Sequence, residues 1–161
     1  MREKKEEKSS AIKFNLTSLK AAIRGGRTDF RNVYLSGLNL RNVDLSGLNL
    51  TDANLRYANL RGANLNDANL TKANLDGADL TKADLTGANL AGADLTRADL
   101  LSADLTRAYL TGATLNGAIL MSANFSGATL DGGGLKVLYQ QGCRDFQRVN
   151  LTDADLSGAN L

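Results

Sequence analysis

The segment ANLNDANLTKANLDGADLTKADL, residues 63–85, places Leu at 65, 70, 75, 80 and 85, with Ala two places before each and Asn or Asp one place before. An apolar residue at every fifth position fits neither regular element. In an α-helix five residues advance by about 500°, so successive leucines would spiral around every side. In a β-strand five is odd, so they would alternate between faces. Burial on one side requires the chain to turn a corner once per repeat, always in the same sense. Each repeat then forms one side of a coil, Leu and Ala point to the axis, and coils stack by strand-like hydrogen bonds about 4.8 Å apart. Ala lets opposite sides approach closely. Asn, Asp, Ser, Thr and Gly at the other places supply the corners and a wet exterior.

The series reaches well beyond this segment. Counted in fives from Phe30 to Leu135, all 22 positions are Leu except Phe30 and Phe125. Phe30, Leu35, Leu65, Leu85 and Phe125 are therefore expected in the core, and Phe146 in a later restart. The inner Ala is unbroken from Ala53 to Ala128, while the first repeats carry Val33, Leu38, Val43 and Leu48 there. Burying one Leu is worth about 2 kcal/mol. A single repeat has no inner face of its own, so its stability must come from stacked neighbours. A disordered low-complexity tract would not need an apolar residue at every fifth place.

The run ADLTGANLAGADL, residues 83–95, resembles the pentapeptide-repeat family, whose pattern is A-(D/N)-L-x-x. The resemblance extends from about residue 30 to 135 and returns over 146–161. It implies an all-β solenoid, a right-handed quadrilateral β-helix with four repeats per coil. A period of five does not by itself distinguish a square from another polygon.

Two segments break the pattern. In SSAIKFNLTSLKAAIRGG, Ile12, Leu16, Leu19 and Ile23 are spaced 4, 3 and 4, one face of a helix. The spacing predicts a helix within 10–24, with Ser10 available to cap its start and Gly25 and Gly26 to stop it. Such a helix would cover the solenoid's unpaired first edge. The second break, LKVLYQQGCRDFQRVNL at 135–151, aligns without a gap on LKAAIRGGRTDFRNVYL at 19–35. A short helix near 135–142 is expected, then a restart at Phe146, Leu151, Leu156 and Leu161. The chain thus divides into a charged flexible arm (1–9), a helical cap (10–26), the β-helix (27–135), a helical insertion (136–145) and a final coil (146–161). One coil cannot bury its own core. It is expected to stack on the first β-helix, on another chain as a homo-oligomer, or on further residues.

Chemistry is hard to find. With no His and one Cys, a disulfide framework, a Cys/His zinc site and the commonest general base are all excluded. Cys143 reads as an inert structural thiol. Asp79, Asp84, Asp94, Asp99 and Asp104 all directly precede a core Leu, where the repeat itself demands a small polar residue. The nine-residue calcium-binding repeat is missing, and GGG at 132–134 lacks the flanks of a phosphate loop. No enzyme, no cofactor and no metal site are expected. Residues 1–26 carry seven Lys/Arg against three Glu, and residues 27–161 twelve Lys/Arg against fourteen Asp. The body is near neutral with mixed signs, which argues against nucleic acid as a partner. No apolar run approaches the roughly 18 residues of a membrane span. The start, MREKKEEKSS, lacks a hydrophobic signal region, so no membrane partner and a cytoplasmic location are expected.

Function must then lie on the surface. With four repeats per coil, residues 20 apart share a column. Leu101 and Met121 stack where Thr, Ser, Asn or Arg is usual, and Ile119 replaces the usual Asn or Asp. Tyr109 and Thr114 break the same rule. Leu101, Tyr109, Ile119 and Met121 form the candidate protein-interaction patch, with Arg41 and Arg61 lower in the Leu101 column. Exposed apolar clusters often mark interfaces; the rival is that Leu138 and Tyr139 fold over this one. The expected function is a non-catalytic, rigid protein-binding, scaffold or regulatory module with an unknown protein partner. The resemblance also implies an alternative, a DNA-mimicking inhibitor or protector of DNA gyrase as in quinolone resistance. Mimicry needs a sustained acidic surface, and Arg31, Arg41, Arg56, Arg61, Lys72 and Lys82 interrupt one here.

Overall fold

In the computed structural model, which describes residues 12–142, every bridge of the β-helix joins a residue to the one 20 positions on, in parallel, from Asp29–Asn49 to Tyr109–Thr129. Four repeats therefore make one coil, and the section is a quadrilateral. The repeat 75–79 shows why the five-residue phrase suffices. Leu75 N–H donates to Asp94 O in the next coil (2.8 Å) and Gly77 N–H to Thr96 O (2.9 Å). Ala78 N–H closes the corner on Leu75 O (2.9 Å), and Asp79 N–H reaches back to Ala58 O (3.0 Å). The remaining donor, Asp76 N–H, is taken by the Asn74 side chain (3.1 Å). All five backbone N–H groups are satisfied, as burial of a repeat's backbone requires. The Asn or Asp before each core Leu is thus the corner's own cap, an Asx contact to the amide two residues on.

The third residue of every corner, from Asn32 to Gly127, has positive φ, which is the type II turn requirement. Sequence reasoning assigned corners to small polar residues and Gly. The structure also holds Tyr57, Lys72, Lys82, Arg97 and Arg107 in this left-handed region, at φ of 56–58°. Each costs about 1–2 kcal/mol. The hydrogen bonds on both sides of the corner hold it there.

The core is a stack of four Leu columns lined by Ala. Every core position from Phe30 to Leu130 is buried, as are Ala53 to Ala108, Ala118 and Ala128 in the Ala columns. The first edge is covered by α1, Leu16–Arg24, which buries Leu19 completely. Its cap is Asn15, whose side chain accepts from Ser18 N–H (2.8 Å) while the Ser18 hydroxyl accepts from Asn15 N–H (3.1 Å). The helix lies within the expected 10–24, and what the structure corrects is its first turn. Ile12 is not on its face: residues 12–14 are extended, Tyr34 N–H donates to Ile12 O, and Lys13 bridges to Tyr34. Ser10 lies outside the described residues. Phe14 packs edge-on against Phe30 (5.6 Å between centroids), and the Arg27 guanidinium covers both rings at 5.2 and 4.8 Å.

The far edge is closed by α2, Gly132–Gln140, which starts earlier than the expected 135–142 because Asp131 caps it. One Asp131 oxygen accepts from Gly134 N–H (2.9 Å) and the other from Gly112 N–H in the coil below (2.7 Å). The β-helix therefore ends at Leu130, not at 135. Leu135 stays buried inside the helix, and Leu138 is fully buried. The Gln141 side-chain amide accepts from Leu120 N–H and donates to Ala118 O. It replaces the peptide group that a further coil would have offered. The arm 1–9, Cys143 and the restart at Phe146, Leu151, Leu156 and Leu161 lie outside the described residues. Among the described residues no helix is long and apolar enough to cross a membrane.

Candidate interaction surface

Since Asn or Asp is the corner cap, the informative positions are those where it is replaced. From Asp29 to Thr129 these are Tyr34, Tyr109, Thr114, Ile119 and Thr129. Three fall consecutively in one coil. There the amides of Thr111, Asn116 and Met121 have no hydrogen-bond partner among the described residues, whereas Leu101 N–H below Met121 is held by Asp99 (2.9 Å). That coil gives up local capping and gains apolar surface.

Ile119 is 49 % exposed and Met121 68 %, the largest exposure among the exposed large hydrophobic residues. Leu101 is half-buried, and Thr81, next below it in the column, is buried at 2 %. Among the described residues, which take in the second break only as far as 142, nothing covers Ile119 and Met121. Leu138 points into the core at 0 % exposure and Tyr139 is half-buried, so the expected cover by 136–142 is corrected, while 143–145 lie outside the described residues. Tyr109 is exposed at 54 % but does not join the patch. It bridges Asn89 and Thr129 while Ile119 bridges Asp99. Ten residues are half a coil, so Tyr109 lies on the opposite face.

The Ile119 face carries Asn39, Asn59, Asp79 and Asp99 below Ile119, and its corner column carries Arg41, Arg61, Thr81, Leu101 and Met121. Basic, acidic and apolar levels succeed one another along the axis. Asp79 and Asp99 cap Thr81 and Leu101 through one carboxylate oxygen (2.9 Å each) and form no ion pair among the described residues.

The adjoining corner holds a cluster that the sequence reading missed. Asp76, only 5 % exposed, is gripped from below by Arg56 (2.7 Å) and from above by Arg97 (2.7 Å). Arg56 also stacks on Tyr57 (4.9 Å) and donates to its hydroxyl (3.0 Å). The Tyr57 ring lies over Gly77, where a Cβ would come within 2.5 Å of it. Reading the sequence in columns of 20 would have shown Arg56 over Asp76 and Tyr57 over Gly77 over Arg97. This cluster ties three coils together and leaves no carboxylate free for chemistry.

Asp76 is held below the usual carboxylate range by Arg97 and Arg56, and Asp44 by the hydroxyl and amide of Ser46. The Arg31 side chain, then its amide, hold Asp29 at about 2. A carboxyl with a depressed native pKa stabilises the fold above its unfolded value, near 3.9, and that contribution fades as pH falls through the native value. The chain has no His to titrate near neutrality. Stability is expected to be level between about pH 5 and 7 and to fall from about pH 4 towards 2. Asp76→Asn makes the acid decline shallower, as thermal melts across this range would show.

Two shallow cavities flank the rod. One of 310 Å³ is lined by Asp67, Gly87, Arg107 and Tyr109, and one of 280 Å³ lies between Lys20, Ile23 and Arg24 of α1 and Asn42, Val43 and Asp44. Among the described residues no three His, Cys, Asp or Glu side chains converge as metal ligands.

The family model described as pentapeptide repeats matches this chain in overlapping stretches at 28–67, 49–87, 63–100 and 100–133, and again at 145–161. Among solved structures, a pentapeptide repeat protein (Rfr23) of the cyanobacterium Cyanothece 51142 is 30 % identical, matched over 73 % of this chain and 96 % of that one, with a TM-score of 0.59. A pentapeptide repeat protein of the Arabidopsis thaliana thylakoid lumen is also 30 % identical, over 80 % of this chain and 84 % of that one, with a TM-score of 0.48. QnrB1, a plasmid-mediated fluoroquinolone resistance protein, is 18 % identical over 93 % of this chain and 86 % of that one, with a TM-score of 0.36. No curated protein matches.

Proposed function

Since this chain belongs to the pentapeptide-repeat family, a family of right-handed quadrilateral β-helices, we propose that it is a rigid, non-catalytic module that binds another protein through the Ile119 face. The observation that carries this reading is the loss of the corner cap at Ile119 beside the exposed Met121. A repeat that needed only to fold would keep Asn there, as Asn39 and Asn59 do in the same column.

Ile119→Asn separates binding from folding. Asn restores an acceptor for Met121 N–H, which is worth about 0.5–1.5 kcal/mol. The variant is expected to be as stable as the wild type or more so in urea unfolding, and to lose the partner. Cross-linked capture from the source organism, with wild type beside Ile119→Asn/Met121→Ser, tests the reading. Retention by wild type and loss by the variant supports it; identical captures overturn it. Submicromolar inhibition of gyrase supercoiling, undiminished in the variant, would favour the DNA-mimic alternative.

A further inference from the structure

We propose that the partner segment on the Ile119 face is an α-helix lying along the rod axis, apolar in its first turn and basic in the two that follow. The inference rests on the protein-binding reading of that face. Strand addition is closed to a partner at the levels of Asp79 and Asp99, because there the backbone donors of residues 79–83 and 99–103 are already engaged, by the neighbouring coils and by the Asx caps, and the open Met121 N–H lies above them in the last coil. Recognition must therefore run through side chains. Coils repeat every 4.8 Å or so and helical turns every 5.4 Å, so a helix parallel to the axis stays within about 1.2 Å of register over two coils. It sets one side chain against each level.

The levels then specify the helix. Ile119 and Met121, with Leu101 at the corner, take an apolar residue. Asp99 and Asp79, one and two coils below, each turn one oxygen to the corner amide and leave the other for Lys or Arg. At the foot, Arg61 and Arg41 form no ion pair among the described residues and suit the helix's C-terminal carbonyls. The apolar residue is thus N-terminal, with basic residues at about i+4 and i+7.

The test uses two synthetic probes of about 18 residues, long enough to hold a helix alone. One is Ala-rich with Leu at i and Arg at i+4 and i+7; the other has the same composition interrupted by Pro. Methyl NMR of the full chain reads the site, and fluorescence anisotropy the affinity. The helical probe is expected to shift the Ile119 and Met121 methyls and to bind at least about tenfold more tightly than the Pro-containing one. Ile119→Asn should abolish the difference. Asp79→Asn/Asp99→Asn, which keeps both corner caps, should weaken the Arg probe about tenfold and leave a Gln-for-Arg probe unchanged. Equal binding of both probes at the Ile119 face would overturn the helix while keeping the binding face. No shift at Ile119 or Met121 with either probe would overturn both.

Discussion

Leu80→Ala is expected to lower the free energy of unfolding by about 2–5 kcal/mol, towards the upper end of that range. Leu80 is fully buried in the column Leu40, Leu60, Leu80, Leu100 and Leu120. The cost of such a truncation depends on how far the surroundings collapse into the gap. Here they are held by backbone bonds on both sides: Leu60 N–H to Asp79 O and Leu80 N–H to Asp99 O, each 2.7 Å. The walls beside it are Ala78 and Ala83, which have no rotamers with which to fill space. Leu101→Ala, at a half-buried outward position, should cost under about 1 kcal/mol. Urea unfolding followed by circular dichroism compares the two. A loss below about 1 kcal/mol for Leu80→Ala would mean that the coils close over the cavity.

Gly77→Ala carries the second large effect, about 2–3 kcal/mol, from two separable sources. Gly77 has φ of +66°, and a Cβ there would meet Cδ1 and Cε1 of Tyr57 at 2.5 Å. Tyr57 cannot swing away without leaving the Arg56 guanidinium and its hydrogen bond. Gly47→Ala provides the backbone part alone, since Gly47 has φ of +64° and nothing within 4 Å of the new Cβ. It should cost about 1 kcal/mol. In a Tyr57→Ala/Gly77→Ala double variant the clash is gone, so the combined loss is expected to fall short of the sum by about 1 kcal/mol. Additive losses would show that the ring moves freely.

Most of the fold is legible in the chain because one five-residue phrase satisfies a complete local set of demands. Leu and Ala fill the inside, Asn or Asp caps the corner, and the remaining places turn it. These are short-range requirements, so they leave a short-range signature repeated from Phe30 to Leu130. The first helix was legible in kind and place though not in its cap, and the second in kind but not in extent. Asn15 and Asp131 set their starts through side-chain contacts, and many Asn and Asp in this sequence could have done the same. The candidate patch was half legible. Ile119 and Met121 stood out because they break the phrase, but Tyr109 broke it too and faces the other way.

The sequence by itself determined the solenoid, its core and the places where its rule fails, because each depends on neighbours within five residues. Tertiary structure decided what meets across coils: four sides rather than another number, the Arg56–Asp76–Arg97 tie, the Gln141 amide over the last coil, and Leu138 turned into the core instead of over Ile119. Those contacts join residues about 20 apart, and their partners are chosen by the shape of the stacked coils rather than by any local preference.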